Sequence, residues 1–240
     1  MKDLRTEQIL DPGAIAHEMS KTFMSHVFSY MAAALVITGV IAYVFGSDPQ
    51  NMRFMFNQGG GMNMLGWIVM LAPLGFVLAM GGLMKRISSP LMLVLFVAYS
   101  AIMGISMSFI FLVYTASSIT TTFFICAGMF SVMAVAGWTT STDLTKFGSL
   151  LGMAVVGLII AMVINWFMNS EMMDYVISIF GVLIFTGLTA YDVQKLKRIG
   201  SGIEIATEEG TKLAIWGAVS LYLDFVNLFL FLLRIFGNRN

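Results

Sequence analysis

Seven runs of predominantly apolar residues, each long enough to cross a bilayer as a helix, divide this chain and constrain what it can fold into. About 20 residues at a ~1.5 Å rise cover the ~30 Å hydrocarbon core. In lipid the backbone must satisfy its own hydrogen bonds, and a helix does so within one run. The runs are Phe23–Phe45, Met64–Met84, Leu91–Tyr114, Thr120–Thr140, Phe147–Met168, Tyr175–Val193 and Leu213–Phe236. The composition agrees: 58% of the residues are hydrophobic and only 11% charged, against ~25% charged in soluble domains. The fold class is therefore all-α, a polytopic membrane bundle of seven transmembrane helices. It divides into a polar N-terminal segment (1–22), a membrane domain (23–236) and a short tail (237–240). Most connections are short, so neighbours in sequence pack antiparallel. The longer ones, Gly46–Asn63 with its glycine triplet and Gln194–Lys212, are expected to be mobile loops on opposite sides of the membrane.

Lysine and arginine set the orientation. With the N-terminus inside, the inner regions hold Lys2, Arg5, Lys21, Lys85, Arg86, Lys146, Lys195, Lys197, Arg198 and Lys212, while the outer loops hold only Arg53. The C-terminus, with Arg234 and Arg239 near it, then lies outside. The first 22 residues carry Asp3, Glu7, Asp11 and Glu18 and no apolar core, so no signal peptide is expected. Compact loops point to a bacterial inner membrane. Thirteen basic and thirteen acidic residues give no net charge, which leaves no basic surface for nucleic acid. A lone Cys126 cannot form an internal disulfide, and His17 and His26 are too few for a metal cluster. The 21 methionines read as adaptable apolar filling. GxxxxGK[ST], HExxH, GxSxG and GxGD are all absent, so the chain is not expected to be an enzyme or to carry a cofactor.

Function is sought in the charges placed within the membrane. Leu213–Leu233 has a single one, Asp224, at its centre. An isolated ionised Asp there costs roughly 2.5–3.5 kcal/mol and normally finds a partner or water. Gly217, Ser220, Asp224, Asn227 and Phe231 make one small and polar face of that helix. At the inner end of the sixth run, Thr186, Thr189 and Asp192 share a face ahead of Lys195, Lys197 and Arg198. Arg86, beside Lys85, ends the second run. Each residue has a plainer reading: Asp224 held by Ser220, Asn227 and backbone, Asp192 as an interfacial charge, Arg86 as an anchor. Small residues at helical spacing, Gly148, Gly152 and Gly157 in the fifth run and Ser100, Gly104 and Ser108 in the third, suit close helix packing.

Two segments, SLYLDFVNLFLFLLRIFG (Ser220–Gly237) and GLTAYDVQKLK (Gly187–Lys197), resemble the signature of the transmembrane Bax inhibitor motif (Bax inhibitor-1) family in a bacterial-type member. The likeness extends over all seven runs, including TDLTKFGSLLG (Thr142–Gly152). It implies a bundle whose C-terminal helix is central and wrapped by the other six, and a carboxylate pair of Asp192 and Asp224 latched by Arg86. Ser220, Asn227 and Thr189 would support the pair. The implied activity is a pH-sensitive calcium leak, in which protonation weakens the latch and opens the inner end. Asp192 and Asp224 would be the transient calcium ligands, in a membrane-lipid environment. The second run holds no acid, so a cation path must rely on these two aspartates and polar side chains. The alternative is a non-transporting modulator of another membrane protein, such as a membrane protease, with Gly148–Gly157 as its contact. Pairing makes one structural demand. Asp192 lies about eight residues, ~12 Å, inward of the middle of its run, so the last helix must sit toward the cytoplasm or the sixth must tilt.

Overall fold

The computed structural model describes residues 12–57, 61–84 and 86–239. The N-terminal residues through Asp11, Lys85 and two glycines of the triplet, Gly59 and Gly60, lie outside them. The elements are α1 (Pro12–Gly46), α2 (Met64–Leu83), α3 (Ser89–Met107), a one-turn α4 (Ile110–Val113), α5 (Ala116–Thr139), α6 (Thr145–Met168), α7 (Glu171–Gly200) and α8 (Glu208–Phe236). Together α3 and α4 make one span, so seven helical segments are long and apolar enough to cross a membrane.

The helices start where the sequence supplies a side-chain oxygen for an open backbone N–H. Asn63 accepts from Gly66, Thr115 from Ser118, Ser170 from Met173 and Thr207 from Gly210. They also outrun the apolar stretches. α7 continues to Gly200 and α8 begins at Glu208, so the expected loop over Gln194–Lys212 is a short turn instead. Hydropathy stops at the first charges, whereas Lys, Gln, Leu and Arg are good helix formers. The other long connection carries regular structure where it is described. Pro49–Met55 forms a 3-10 helix whose Met52 and Met55 are fully buried. Ser108 Oγ donates to Met52 Sδ at 3.3 Å, and Phe56 pairs with Met62 across the turn.

α8 is the most enclosed helix: 61% of its most apolar window is buried, against 11% for α6. It packs on α7, α1, α5 and α3. α2 packs mainly on α3, and α6 on α7. Four helices therefore form most of the wall around α8, and α2 reaches it where Gly81 faces the Trp216 ring. Tyr222 is fixed against α1 and α3, its hydroxyl 2.7 Å from Thr38 Oγ1 and its ring against Phe96 and Tyr99. Phe225 sits edge-on between Phe123 and Phe130 of α5.

Small residues act where helices meet. A Cβ on Gly104 would strike Thr38 and Ile41, one on Gly137 the Ala190 backbone, and one on Gly148 the Tyr191 ring. Gly152 and Gly157 have nothing within 4 Å. The spacing beginning at Gly148 thus serves internal packing only at its first member. Replacing Gly137 with Ala should lower thermal stability in detergent by about 1–3 kcal/mol, the usual cost of overpacking. Gly152→Ala should not lower it, and equal effects at both positions would contradict the packing described.

Candidate functional site

The seam between α7 and α8 brings the two aspartates together. The helices run antiparallel, and three contacts fix their register. The Phe231 ring lies against Gly181, Ser220 meets Asp192, and the Leu196 methyl groups fill the space beside Gly217. In this register Asp224 is one turn, ~6 Å, deeper than Asp192. This meets the demand set by the sequence, because α8 starts well below its apolar run and drops Asp224 toward the basic end. The two carboxyl groups therefore stand about one turn apart on facing helices.

Their surroundings differ. Ser220 Oγ donates to Asp192 Oδ2 at 2.5 Å, and Lys195 adds its charge from one turn along the same helix. Asp192 is half-buried. Asp224 is 6% exposed, and its Oδ2 is buried without a hydrogen-bond partner among the described residues. Thr186 Oγ1 is likewise buried and unpartnered. An unsatisfied buried acceptor costs about 1–3 kcal/mol, and more if charged. The other expected supporting residues turn to their own helices. Asn227 Nδ2 donates to Leu223 O at 2.8 Å, and Thr189 Oγ1 to Phe185 O at 2.8 Å. The plain reading of Asp224 as an acid held by Ser220 and Asn227 therefore does not describe this seam.

Arg86 is not at the pair. It is exposed in the turn after α2, and its guanidinium makes no hydrogen bond or ion pair among the described residues. The level of that turn follows from two contacts with α8. The Glu208 carboxylate accepts from Ser89 N at 2.6 Å and Ser89 Oγ at 2.7 Å, and Gly81 faces the Trp216 ring. Arg86 is therefore ~12 Å nearer the basic end than the Asp192–Ser220 contact. Its neighbour Lys85 lies outside the described residues. Among these residues no three His, Cys, Asp or Glu side chains gather as a metal site. Asp192 and Asp224 by themselves offer two carboxyl groups, well short of the six to eight oxygens that calcium takes.

The basic end of α7 is tied down by residues to which sequence reasoning gave no such role. Gln194 accepts from Leu144 N at 2.9 Å and donates to Thr142 O at 2.8 Å. Lys197 donates to Trp138 O at 2.7 Å and lies over the Trp138 ring. Arg198 pairs with Asp143 at 2.8 Å. Hydrogen bonds from Thr145, followed by the Arg198 guanidinium, hold the Asp143 carboxyl below the usual carboxylate range. This exposed tie therefore contributes above that range, fades only as pH falls through the depressed value, and does not titrate near neutrality. Gln194 and Lys197 stand in the GLTAYDVQKLK segment, which is the signal that could have found them.

An all-helical, membrane-spanning bundle with a carboxyl pair between its two last helices is the class of protein these observations define. Comparison with known proteins places it more closely. Residues 20–240 match the family described as "Inhibitor of apoptosis-promoting Bax1". The inner membrane protein YbhL of Escherichia coli K12 is 39% identical over 98% of this chain and 97% of its own length. An uncharacterized protein of Borreliella burgdorferi is 43% identical over 90% of this chain and 92% of its own. The uncharacterized protein RP147 of Rickettsia prowazekii is 41% identical, covering 91% of this chain and 90% of its own. The chain belongs to the Bax inhibitor family.

The contact between Ser220 and Asp192 makes a quantitative prediction. Ser220→Ala removes the donor to a half-buried carboxylate and should cost about 1–3 kcal/mol. In a double-mutant cycle with Asp192→Asn the two losses should not add. Additive losses in thermal unfolding would show that the hydroxyl and the carboxylate are uncoupled.

Proposed function

We propose that this chain is a pH-sensitive cation leak of a bacterial inner membrane, passing calcium along the seam between α7 and α8. The observation that carries the reading is the Asp224 carboxyl, buried at the middle of α8 with an unsatisfied oxygen and under the influence of Asp192. Two carboxylates in a low-dielectric seam cannot both carry charge without a counter-charge. In this conformation Arg86 supplies none, and Lys195 acts on Asp192 alone. A shared proton keeps the seam closed, and its loss drives the acids apart and admits a cation in its place. Two carboxylates, the Ser220 hydroxyl and water would hold calcium loosely enough for release. α8 is held on its α1, α3 and α5 faces and α7 by ties at its basic end, so the opening is confined to the carboxyl pair between them.

The concentration of lysine and arginine at the Asp192 end supports an orientation with the N-terminus in the cytoplasm. The printed name of the Escherichia coli relative, an inner membrane protein, supports the membrane assigned. The mechanism is one of passage and involves no chemical transformation. A second reading, a modulator that docks on another membrane protein, is favoured by α6. This helix is the least buried, and its Gly152 and Gly157 are open on the lipid side.

Purified protein in vesicles loaded with a calcium-sensitive dye tests the leak. Influx should rise as pH increases, and Asp192→Asn with Asp224→Asn should reduce the pH-dependent part to background. Arg86→Ala should leave the profile unchanged. An influx that rises on acidification and loses that response in Arg86→Ala would restore the latch. No influx at any pH would sink the leak and favour the modulator.

A further inference from the structure

At the end of the bundle opposite the lysines, the α6–α7 hairpin and the end of α8 enclose a cleft of about 510 Å³. The leak reading makes no use of it. Its walls carry charge of both signs: Glu171 and Asp174 from the first turn of α7, Arg234 from the last turn of α8, and Arg239 from the tail.

The frame of the cleft is fixed. Asn165, itself 6% exposed, donates to Ser170 O at 3.2 Å and to Asp174 Oδ1 at 3.0 Å, and accepts from Ser170 N at 3.1 Å. Asn169 takes the left-handed φ of 49° that the tight hairpin requires. The tail is fastened to the start of α5, where Thr115 N donates to Asn238 O at 3.1 Å and Asn238 N to Ser118 Oγ at 3.0 Å.

Within this frame the opposite charges are held apart. Arg234 approaches Asp174 only to 3.8 Å, whereas Arg198 and Asp143 meet at 2.8 Å. At 3.8 Å the groups attract without sharing a hydrogen bond. Each keeps bonding capacity for a third party. Asn165 occupies one Asp174 oxygen, Oδ1, and no hydrogen bond reaches the other among the described residues. Arg239 takes part in no ion pair among them.

The depth of the cleft indicates what that third party is. Trp166 is 65% exposed beside Trp67, Tyr175 is 52% exposed, and the apolar outer surface of α6 runs up to Met168. Exposed Trp and Tyr gather where hydrocarbon gives way to headgroups. The cleft opens at that level, next to Met162 and Trp166, along which an acyl chain can lie.

We propose that this cleft binds a phospholipid with a primary-ammonium headgroup, of the phosphatidylethanolamine class, its phosphate on Arg234 and Arg239 and its ammonium on Glu171 and Asp174. The guanidinium fork suits phosphate oxygens. An ammonium offers three donors to the two carboxylates. A choline headgroup has no N–H to donate, and a glycerol headgroup leaves both acids without a cation.

The test is competitive binding of short-chain lipids to the purified full-length protein in detergent, read by native mass spectrometry. Phosphatidylethanolamine should bind ~10-fold more tightly than phosphatidylcholine or phosphatidylglycerol, the value of about one charge-assisted hydrogen bond. Glu171→Gln with Asp174→Asn should abolish the preference over phosphatidylcholine without weakening phosphatidylglycerol. Arg239→Gln, which breaks no internal ion pair, should weaken all three lipids at unchanged thermal stability. Equal binding of the three lipids by the unaltered protein would overturn the proposal, as would a preference that survives Glu171→Gln with Asp174→Asn. Free phosphoethanolamine competing as well as the lipid would assign the cleft to a soluble zwitterion and overturn the lipid assignment.

Discussion

A carboxyl group deep in the most buried helix, with one oxygen lacking a hydrogen bond among the described residues, is the constraint on which the rest of this bundle turns. The group can be tolerated only where lipid is kept away, so α8 has to be surrounded by protein. Four helices do most of this, and α8 is the most buried of the seven segments. The aromatic clamp on Tyr222, between Thr38 of α1 and the rings of Phe96 and Tyr99, and the seating of Phe225 against α5 hold it there. These contacts lie on the faces of α8 turned toward α1, α3 and α5.

The α7 face is built differently. Glycine at 181 and 217 makes room for the Phe231 ring and the Leu196 methyl groups, and among the described residues the only side-chain hydrogen bond across the acidic level is Ser220 to Asp192. One side of α8 is thus fastened by aromatic packing and the other by a polar contact to an ionisable group. A change of charge acts on the second side alone. α7 is in turn fixed at its basic end to the α5–α6 turn through Gln194, Lys197 and Arg198. Displacement would therefore concentrate at the carboxyl pair.

The family likeness and the local geometry meet at Asp192 and Asp224 and part at Arg86. A pair of acids with an arginine bridging them and a pair without one respond oppositely to protonation, because the guanidinium favours the doubly ionised state and bare repulsion disfavours it. Arg86 stands in a turn ~12 Å toward the basic end, so in the proposed leak the acids respond as a pair without an arginine. At the opposite end, Arg234 and Asp174 stand in the reverse situation. They are close enough to attract and too far apart to be satisfied, and they border a cleft at headgroup level.

Much of this was legible from the chain alone. Apolar run length fixed the number of spans, because bilayer thickness converts directly into residue count. A single charge within Leu213–Leu233 singled out Asp224, because desolvation makes any such residue conspicuous. The ends of the helices were not legible, since hydropathy follows lipid contact and ignores the hydrogen bonding that carries α7 to Gly200 and starts α8 at Glu208. Nor was the role of Gly152 and Gly157, because the same glycine spacing serves packing or lipid exposure according to how the helix is rotated. Sequence by itself determined which residues are costly in a membrane. Only the tertiary structure decided which of them meet, because helix register and rotation, set by packing across the whole bundle, placed Ser220 rather than Arg86 on Asp192 and left Asp224 without a donor.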